Sequence, residues 1–552
     1  MDRVKKPVWH PDGVREILEE NYDTILSSIN EEEDNISPSS YCQWIRDTVD
    51  TGFDPCFNGP EQEVISPEHR AGPEERRAMR KSIQAEVDCG RYVGPFPVSA
   101  PLPIPNTRAH PVFVRPKRES GAFRIISDYS HPHGNSVNDY LDPSIFPVSY
   151  VRWDEVLASV QRHWPHAHLG VADIEKAFRV LALSPQYYHL FALVFEQNVY
   201  YDTCGGFGGC PTPGAWNRFS RLIEHASRHR ANLLTHAELK HYVDDFLGIA
   251  STAEERDILL YALIVVCGTL GVGIKFSKLD LGTAVQYLGM GIDGENFVVI
   301  LDDLRRHELL SLVNSWRRRR RARVSEAWTL LGKLAFAGRA LRSSRSFTRR
   351  MYAEVCRARN RTWFTPSAGF RKDLRWFSRR LEHYTGSSVI PDWAAPTEHC
   401  YTDASTSGGG GGLWRQHWFA TDEWRGALDA DLHIDEYELM AVAWACATFG
   451  PHWRRKTVQF HVDNEVVRGI LLSRSSRSPR LMYWLRCIFA LEEAYGFTST
   501  STRIPGVANV GADAVSRRQL MADWRQRLDS WRPDMDLQAT PTVDPPSWSL
   551  LL

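Results

Sequence analysis

Two adjacent aspartates, Asp244 and Asp245, stand between two apolar runs in the segment 241–248. This pattern predicts a tight β-hairpin that holds both acids at its turn. Adjacent carboxylates between buried strands are costly unless a cation neutralises them, and a divalent metal is the usual cation for an all-oxygen site. A solvated Asp-Asp turn is the commoner explanation for an arbitrary pair. A metal site therefore requires the rest of the chain to bring further acids beside this hairpin.

The charge of the chain is unevenly distributed. The net charge is −1 over 552 residues, with 43% hydrophobic and 24% charged residues, a composition typical of two to four globular domains. Residues 31–34 are acidic, whereas residues 316–380 are rich in arginine and include an unbroken arginine run at 317–321. The basic middle predicts contact with a polyanion; the alternatives are a solvated helix face or a nuclear-import patch.

The cysteines and apolar segments point to an intracellular protein. The ten cysteines are scattered with no Cys-x-x-Cys pair, which argues against a zinc knuckle or a disulfide framework and favours a reducing compartment. The N-terminus lacks the apolar core of a signal peptide. The apolar run 258–274 is short for a membrane span and is interpreted as a buried helix ending at glycines. We expect a cytoplasmic or nuclear location and no membrane partner.

The segments before the aspartate pair contain candidates for phosphate binding and a further acid. Lys117 and Arg124 flank a basic hairpin tip and could both point at a phosphate, although surface hairpins often carry such residues. Asp173 ends a strand-like run, 169–174, that turns into a helix at Glu175. A carboxylate at the end of a strand is a common active-site position, so Asp173 is the first candidate partner for the aspartate pair.

A glycine-rich loop at 205–211, including Gly206, separates Asp173 from the aspartate pair. Such a loop can approach a ligand closely, or it can serve only as a connector. Lys275 and Lys278 follow the apolar run, and residues 303–384 have a basic, helical pattern.

A second set of acids occurs near the C-terminus. A glycine run at 408–412 lacks the Lys-Ser/Thr of a P-loop and is interpreted as a hairpin. The acids stand at strand ends, helix starts or within a helix: Asp403, Glu438, Asp463 and Asp513. One such aspartate is most often a helix N-cap, but four acids in one compact unit are harder to explain as caps.

Taken together, these residues resemble the reverse transcriptase–RNase H region of retroelements over roughly residues 80 to 520. The segment 242–245 is similar to the reverse-transcriptase signature, and 287–289 to the entry of the primer grip. Asp173 with Phe178 resembles the first catalytic box. The spacing of the residues that contact the incoming triphosphate is matched by Lys117, Arg124 and Asp128. The RNase H carboxylates are matched in order by Asp403, Glu438, Asp463 and Asp513.

Three stretches are similar to the DIRS-like and Ngaro-like retrotransposons, the tyrosine-recombinase group: 126–132, 134–139 and 504–517. The resemblance implies a recombinase encoded elsewhere, since neither a recombinase nor an integrase pattern is visible here. There are departures from the family pattern. Gly205 stands where a bulkier residue is usual, and Arg503 and Asn509 occupy the region in which many RNases H carry a histidine.

The resemblance implies a multidomain α+β and α/β fold: a right-hand polymerase with fingers, palm and thumb, then a helical connection and an RNase H-like α/β domain with a mixed sheet. The expected domains are a variable N-terminal segment at 1–60, fingers and palm at 61–300, a basic helical thumb or connection at 301–395, the RNase H-like domain at 396–520 and a tail at 521–552.

The resemblance also assigns roles in polymerisation. Asp173, Asp244 and the backbone carbonyl of Ile174 would hold two Mg²⁺ ions, with Mn²⁺ as an alternative. Asp245 would support the turn, and the ring of Phe178 would exclude a ribose 2′-hydroxyl unless it serves only the core. The remaining expectations are phosphate clamping by Lys117 and Arg124, nucleotide binding by the Gly206 loop, and protonation of pyrophosphate by Lys278 or Lys275.

In the C-terminal unit the four acids would bind two further Mg²⁺ ions and cleave RNA paired to DNA. The expected partners are an RNA template, a DNA primer, the RNA–DNA heteroduplex and dNTPs, with the basic helices at 312–380 holding the duplex. Two alternatives stay open: a domesticated or decayed retroelement protein that binds nucleic acid without synthesis, and a polymerase with an inactive nuclease.

Overall fold

The computed structural model describes residues 9–28, 36–116, 123–232, 235–341, 343–384, 386–388, 397–407, 409–421 and 432–545. The chain divides into two compact units, residues 1–288 and 289–552, and both mix helices with strands. The expectation of a multidomain α and β chain is confirmed at this level. Within these described stretches no helix combines the length and apolarity needed to cross a bilayer. The acidic run 31–34 and the basic tip with Lys117 lie outside the described residues.

The first unit is built from helices and two sheets. Its helices are α1 (Pro11–Glu20), α2 (Tyr22–Ser28), α3 (Pro38–Thr51), α4 (Pro73–Asp88), α5 (Trp153–His163), α6 (Ala177–Val180), α7 (Thr212–Asn232) and α8 (Ala253–Leu270). Its strands are β1 (Val64–Ile65), β2 (Tyr92–Pro97), β3 (Arg108–Pro116), β4 (Phe123–Ser127), β5 (His168–Asp173), β6 (Ala192–Phe195), β7 (Asn198–Asp202), β8 (Glu238–Tyr242), β9 (Asp245–Ala250), β10 (Asp280–Gly282) and β11 (Ala284–Tyr287).

Strand pairing in the first unit brings Asp173 and Asp245 together at one edge of a sheet. One sheet has the order β1-β3-β6-β7-β2, with β4 paired to β3, and the other has the order β10-β5-β9-β8. In the second sheet β5 and β9 run antiparallel, with Asp173 opposite Asp245. Helix α8 ends at Gly271, whose φ of 78° is the left-handed conformation that glycine adopts without strain. The predicted buried helix with a glycine stop is therefore present.

The N-terminal segment contributes to the core of the first unit. The sequence analysis described residues 1–60 as a variable segment, and that domain boundary stays a prediction. In the structure α1 and α3 are helices, and the Tyr41 hydroxyl donates to the Arg218 carbonyl at 2.5 Å. Their buried side chains pack in the same hydrophobic cluster as α7 and α8; they include Val14, Ile17, Leu18, Tyr41, Cys42 and Ile45. The chain before residue 60 is thus needed to complete this core.

The second unit begins with a small sheet and helices and ends with a six-stranded sheet. Its helices are α9 (Asp303–Arg318), α10 (Val324–Ala337), α11 (Ser344–Arg357), α12 (Ala368–Glu382), α13 (Ile434–Phe449), α14 (Glu465–Ser473), α15 (Pro479–Tyr495), α16 (Val510–Ser516) and α17 (Trp524–Trp531). Its strands are β12 (Met290–Asp293), β13 (Val298–Leu301), β14 (Ala322–Arg323), β15 (Trp363–Phe364), β16 (Ser387–Ser388), β17 (Glu398–Ser405), β18 (Gly409–Trp414), β19 (His417–Ala420), β20 (Thr457–Val462), β21 (Thr498–Arg503) and β22 (Gln538–Ala539).

The six-stranded sheet is mixed, with the order β21-β20-β17-β18-β19-β22. Strands β17 and β20 are parallel, as are β20 and β21, whereas β17–β18 and β18–β19 are antiparallel. Glycines 409–412 lie in β18, which pairs antiparallel with β17, so the predicted hairpin is present; Gly408 lies outside the described residues. A Cβ on Gly411 would lie 2.8 Å from the Ser516 backbone nitrogen, so glycine lets α16 pack directly on the strand.

Candidate active sites

The predicted aspartate hairpin is present between β8 and β9. Tyr242 pairs with Asp245, which leaves Val243 and Asp244 as the two residues of the turn. Val243 has a φ of 58°, a conformation that costs free energy for a β-branched residue. The Trp216 indole N–H donates to the Val243 carbonyl at 2.8 Å. Through this hydrogen bond helix α7 stabilises the turn that carries the two acids.

Asp173 is brought beside this turn by the pairing of β5 with β9. Its register partner is Asp245, and the Ile174 backbone N–H donates to the Asp244 carbonyl at 2.9 Å. Asp173 is 6% exposed. The three acids, here called the first carboxylate site, are thus joined through backbone hydrogen bonds rather than by their side chains alone.

Burial and mutual repulsion disfavour the charged forms of these acids. Burial, with added repulsion from Asp244 and Asp173, raises the pKa of Asp245 to about 7. Burial and Asp173 also raise the pKa of Asp244, against the opposing effect of Lys278 and Arg124. The Lys278 ammonium lies 2.6 Å from Asp173 Oδ2. A cluster of oxygen ligands that repel one another in this way fits a divalent cation.

The structure distinguishes between the two candidate lysines. Lys278 approaches Asp173 with its side chain, and this hydrogen bond raises the pKa of the Lys278 ammonium. Lys275 contacts the same residue only through its backbone N–H, which donates to the Asp173 carbonyl at 2.8 Å. Lys278 is therefore the lysine whose proton lies at the first carboxylate site.

The glycine-rich loop lies beside Phe178 and Arg124. The rings of Phe178 and Phe207 are 5.3 Å apart, and the Arg124 guanidinium lies 5.3 Å from the Phe207 ring centre. A Cβ on Gly206 would lie 2.7 Å from the Tyr129 hydroxyl, so this position has no room for a side chain. The loop therefore packs against two of the predicted nucleotide-binding residues, Phe178 and Arg124.

Asn138 anchors the far end of the loop, a contact that the sequence did not reveal. Its side-chain amide donates to the Gly208 carbonyl at 2.9 Å, and its side-chain oxygen accepts from the Cys210 N–H at 3.0 Å. In the sequence, Asn138 is marked only by the family resemblance of the segment 134–139. Asp128, whose expected place near the triphosphate stays a prediction, is hydrogen-bonded to His69 Nε2 at 2.9 Å.

The second carboxylate site lies in the second unit and comprises Asp403, Glu438, Asp463 and Asp513. Asp403 is in β17, Glu438 is in α13, and Asp463 directly follows β20. One ligand oxygen from each of these three acids lies within 4.8 Å of the others, and among the described residues no other group of histidines, cysteines or acids meets this criterion. Three of the four predicted acids therefore converge on a common point.

Burial sets the proton affinity of the second carboxylate site. Burial, with repulsion from Asp403 and Asp463, raises the pKa of Glu438 to about 9. Burial also raises the pKa of Asp403 to about 7 and raises that of Asp463. Glu438 Oε2 is buried with no hydrogen-bond partner among the described residues, whereas Oε1 accepts from the Ala404 N–H at 3.3 Å. A convergent acid with an unpaired oxygen fits a metal ligand.

Asp513 and its neighbours complete this site from α16. Arg517 Nε lies 2.8 Å from Asp513, and Asp513 adds to the repulsion at Asp403 and Asp463. The Ser516 hydroxyl donates to Asp403 Oδ2, a positioning contact that the sequence analysis missed. In the sequence, Ser516 is marked only by the family resemblance of the stretch 504–517.

Two arginines lie beside a tryptophan ring at the short ribbon β14–β15 of the second unit. Trp363 is 39% exposed, and the guanidinium groups of Arg321 and Arg323 lie 5.1 and 5.3 Å from its ring centre. Not all of the arginine run is available to a ligand, because Arg317 donates to Ser378 and Arg319 pairs with Glu326. Arg321 and Arg323 are exposed and leave a positively charged surface beside the Trp363 ring.

Comparison with known proteins gives similarity only to solved structures, since no family model matches the chain and no curated protein matches it. Foamy viral protease-reverse transcriptase dRH in complex with double-stranded DNA is similar at 14% identity and a TM-score of 0.46, over 90% of this chain and 83% of that chain. For foamy viral protease-reverse transcriptase with an RNA/DNA hybrid the values are 14% and 0.45, over 91% of this chain and 64% of that chain. Foamy viral protease-reverse transcriptase in complex with double-stranded DNA is similar at 14% identity and a TM-score of 0.45, over 91% of this chain and 99% of that chain. Similarity at this level assigns no function, so function is inferred from the two sites.

Proposed function

We propose that this protein is an RNA-directed DNA polymerase with RNase H activity that copies retroelement RNA into DNA and cleaves the RNA strand of RNA–DNA hybrids. One observation carries the proposal: a single chain holds two separate groups of buried and half-buried acids that repel one another, and in the second group three ligand oxygens lie within 4.8 Å of one another. In this proposal residues 61–300 form fingers and palm, 301–395 a thumb or connection, and 396–520 an RNase H-like domain. The DIRS-like and Ngaro-like group is the proposed source.

The residues at both sites fit Mg²⁺, with Mn²⁺ as an alternative. Two ions per site would activate the attacking oxygen and neutralise the negative charge that develops at phosphorus. At the first carboxylate site the ligands would be Asp173, Asp244 and the Ile174 carbonyl. At the second carboxylate site they would be Asp403, Glu438, Asp463 and Asp513.

The residues around the first carboxylate site position a nucleoside triphosphate. The Arg124 guanidinium would bind the β- and γ-phosphates, and Lys117, outside the described residues, would assist it. The Phe178 ring would lie under the sugar, where a 2′-hydroxyl would clash with it. Lys278 Nζ carries a proton beside Asp173 and would transfer it to the departing pyrophosphate.

At the second carboxylate site the side chains hold the acids in place. Ser516 orients Asp403 by donating to its Oδ2, and Arg517 holds Asp513. The substrate would be RNA paired to DNA, because an A-like duplex and 2′-hydroxyl groups identify it. The basic surface near Arg321 and Arg323 would bind the phosphates of the heteroduplex, and such binding weakens steeply as salt increases.

Primer extension tests the polymerase function. Wild-type protein should extend oligo(dT) on poly(rA) with dTTP and Mg²⁺, whereas Asp244→Asn should not, because one ligand oxygen loses its charge. Extension by the variant equal to that of the wild type would refute the assignment of the first carboxylate site.

Degradation of the RNA strand in a labelled hybrid tests the nuclease function in the same preparations. Asp463→Asn should abolish degradation and preserve extension, and Asp244→Asn should do the reverse. Continued degradation by Asp463→Asn would refute the nuclease. Hybrid binding by the wild type with neither activity would instead support a domesticated or decayed binding protein.

A further inference from the structure

Arg179 is a buried arginine whose guanidinium joins three segments of the first unit. It directly follows Phe178 in α6, and its side chain is 7% exposed. The guanidinium donates to Asp202 Oδ2 at 2.7 Å and to Glu86 Oε2 at 3.1 Å. It also donates to the Gly205 carbonyl at 3.2 Å. The partners belong to β7, α4 and the glycine-rich loop, so one side chain fixes the positions of all three.

The charges around this guanidinium are balanced. Asp202 is fully buried and also accepts from the Cys204 N–H at 3.0 Å. Glu86 accepts in addition from Arg91 Nε at 2.6 Å, so two carboxylates face two guanidinium groups. Burial alone would lower the pKa of Arg179, but Asp202 raises it well above its usual value, and the guanidinium stays charged. A buried pair of this kind loses much stability when only one partner is removed.

The contact with Gly205 links this network to Phe178. The Gly205 N–H donates to the Leu181 carbonyl at 2.8 Å, which holds the start of the loop against α6. A Cβ on Gly205 would lie 2.9 Å from the Phe178 carbonyl and 2.8 Å from Thr212 Cγ2. The Phe178 ring in turn contacts the Phe207 ring further along the loop. A shift of the Gly205 carbonyl would therefore reach Phe178 at its backbone and, through Phe207, at its ring.

We propose that Arg179 is a positioning residue for nucleotide selection, which holds the Gly205 carbonyl and thereby keeps Phe178 where its ring excludes a ribose 2′-hydroxyl. The inference rests on the proposed polymerase function. It depends on the planar guanidinium, which serves three acceptors in fixed directions. A lysine keeps the charge but cannot reproduce that arrangement.

Steady-state extension with Arg179→Lys tests this role. We expect the KM for dNTP to rise and the preference for dNTP over rNTP to fall about tenfold, the equivalent of one lost charged hydrogen bond. The kcat and the Kd for primer–template should stay close to wild type, because Arg179 contacts neither the acids of the first carboxylate site nor Lys278. This separation of KM from kcat is not expected of a general loss of folded protein.

Arg91→Lys is the matched control, since it perturbs the same Glu86 carboxylate without touching Gly205. It should lower thermal stability and leave nucleotide preference unchanged. If Arg179→Lys does not fold, Arg179→Met combined with Asp202→Asn removes the unpaired charge and should still show the altered preference. Wild-type nucleotide preference in a folded Arg179 variant, or an equal change in Arg91→Lys, would overturn the inference. A wild-type protein that extends no primer would instead refute the proposed polymerase and the inference with it.

Discussion

Replacing Gly411 by alanine should disable the second carboxylate site while leaving the first intact. The added Cβ would lie 2.8 Å from the Ser516 nitrogen and 2.9 Å from Val515 Cγ1. An ordinary contact is about 3.5 Å, so α16 must move by about 0.7 Å. Because α16 carries both Asp513 and Ser516, that shift separates them from Asp403.

The expected cost follows from this displacement. Overpacking of this kind typically destabilises by about 1–3 kcal/mol, and a misplacement approaching 1 Å can reduce turnover by about 10- to 100-fold. Cleavage of the RNA strand in a fluorescent hybrid should fall by that factor, and calorimetry should show weaker Mg²⁺ binding. Primer extension in the same preparation should be unchanged, because its acids belong to residues 1–288.

Gly469→Ala in α14 is the matched control. A Cβ there would meet no atom within 4 Å, and alanine in a helix interior should stabilise by about 0.5–1 kcal/mol. This variant should cleave RNA at the wild-type rate. Full cleavage by Gly411→Ala, or an equal loss in Gly469→Ala, would show that the contact between β18 and α16 does not determine the geometry of the site.

Three further outcomes follow from the same structure. Phe178→Val should raise incorporation of rNTP relative to dNTP, measured in single-nucleotide extension; an unchanged ratio would restrict the ring to core packing. Without divalent metal, the free energy of unfolding should fall as pH rises from about 5 to 9. In the folded protein, Glu438 and Asp403 have pKa values of about 9 and 7 and therefore keep their protons over part of this range. In the unfolded chain the same groups lose their protons near pH 4. Glu438→Gln should flatten this dependence in urea unfolding with chelator present, and a slope equal to wild type would contradict the assigned burial. The binding constant for the hybrid can be measured by fluorescence anisotropy at several salt concentrations. Replacing Arg321 and Arg323 together by glutamine should reduce the slope of its logarithm against the logarithm of the salt concentration by up to about two. An unchanged slope would show that the duplex does not contact these two arginines.

Local patterns were sufficient to predict much of both sites. The acid pair between apolar runs predicted the β8–β9 hairpin, and Asp463 directly follows a strand, as predicted. The helical pattern of residues 303–384 likewise corresponds to α9–α12. These signals depend on neighbouring residues, which is why one sequence reveals them.

Other structural features depend on contacts between segments that are distant in the sequence, so neighbouring residues do not predict them. The chain before residue 60 looked weakly patterned, because its few apolar positions acquire a partner only in the core with α7 and α8. The glycine run in β18 was correctly interpreted as part of a hairpin, but the reason for its glycines was not predicted, because α16, which packs on them, lies about a hundred positions later in the chain.

The sequence by itself determined which acids are present, which local elements carry them, and that an arginine-rich segment lies between them. Only the tertiary structure decided that Lys278 rather than Lys275 faces Asp173, that Asn138 anchors the glycine-rich loop, and that Arg179 joins Glu86, Asp202 and Gly205. The physical reason is the same in each case. Hydrogen bonds between distant segments depend on how elements pack, and residue type and spacing alone do not specify that packing.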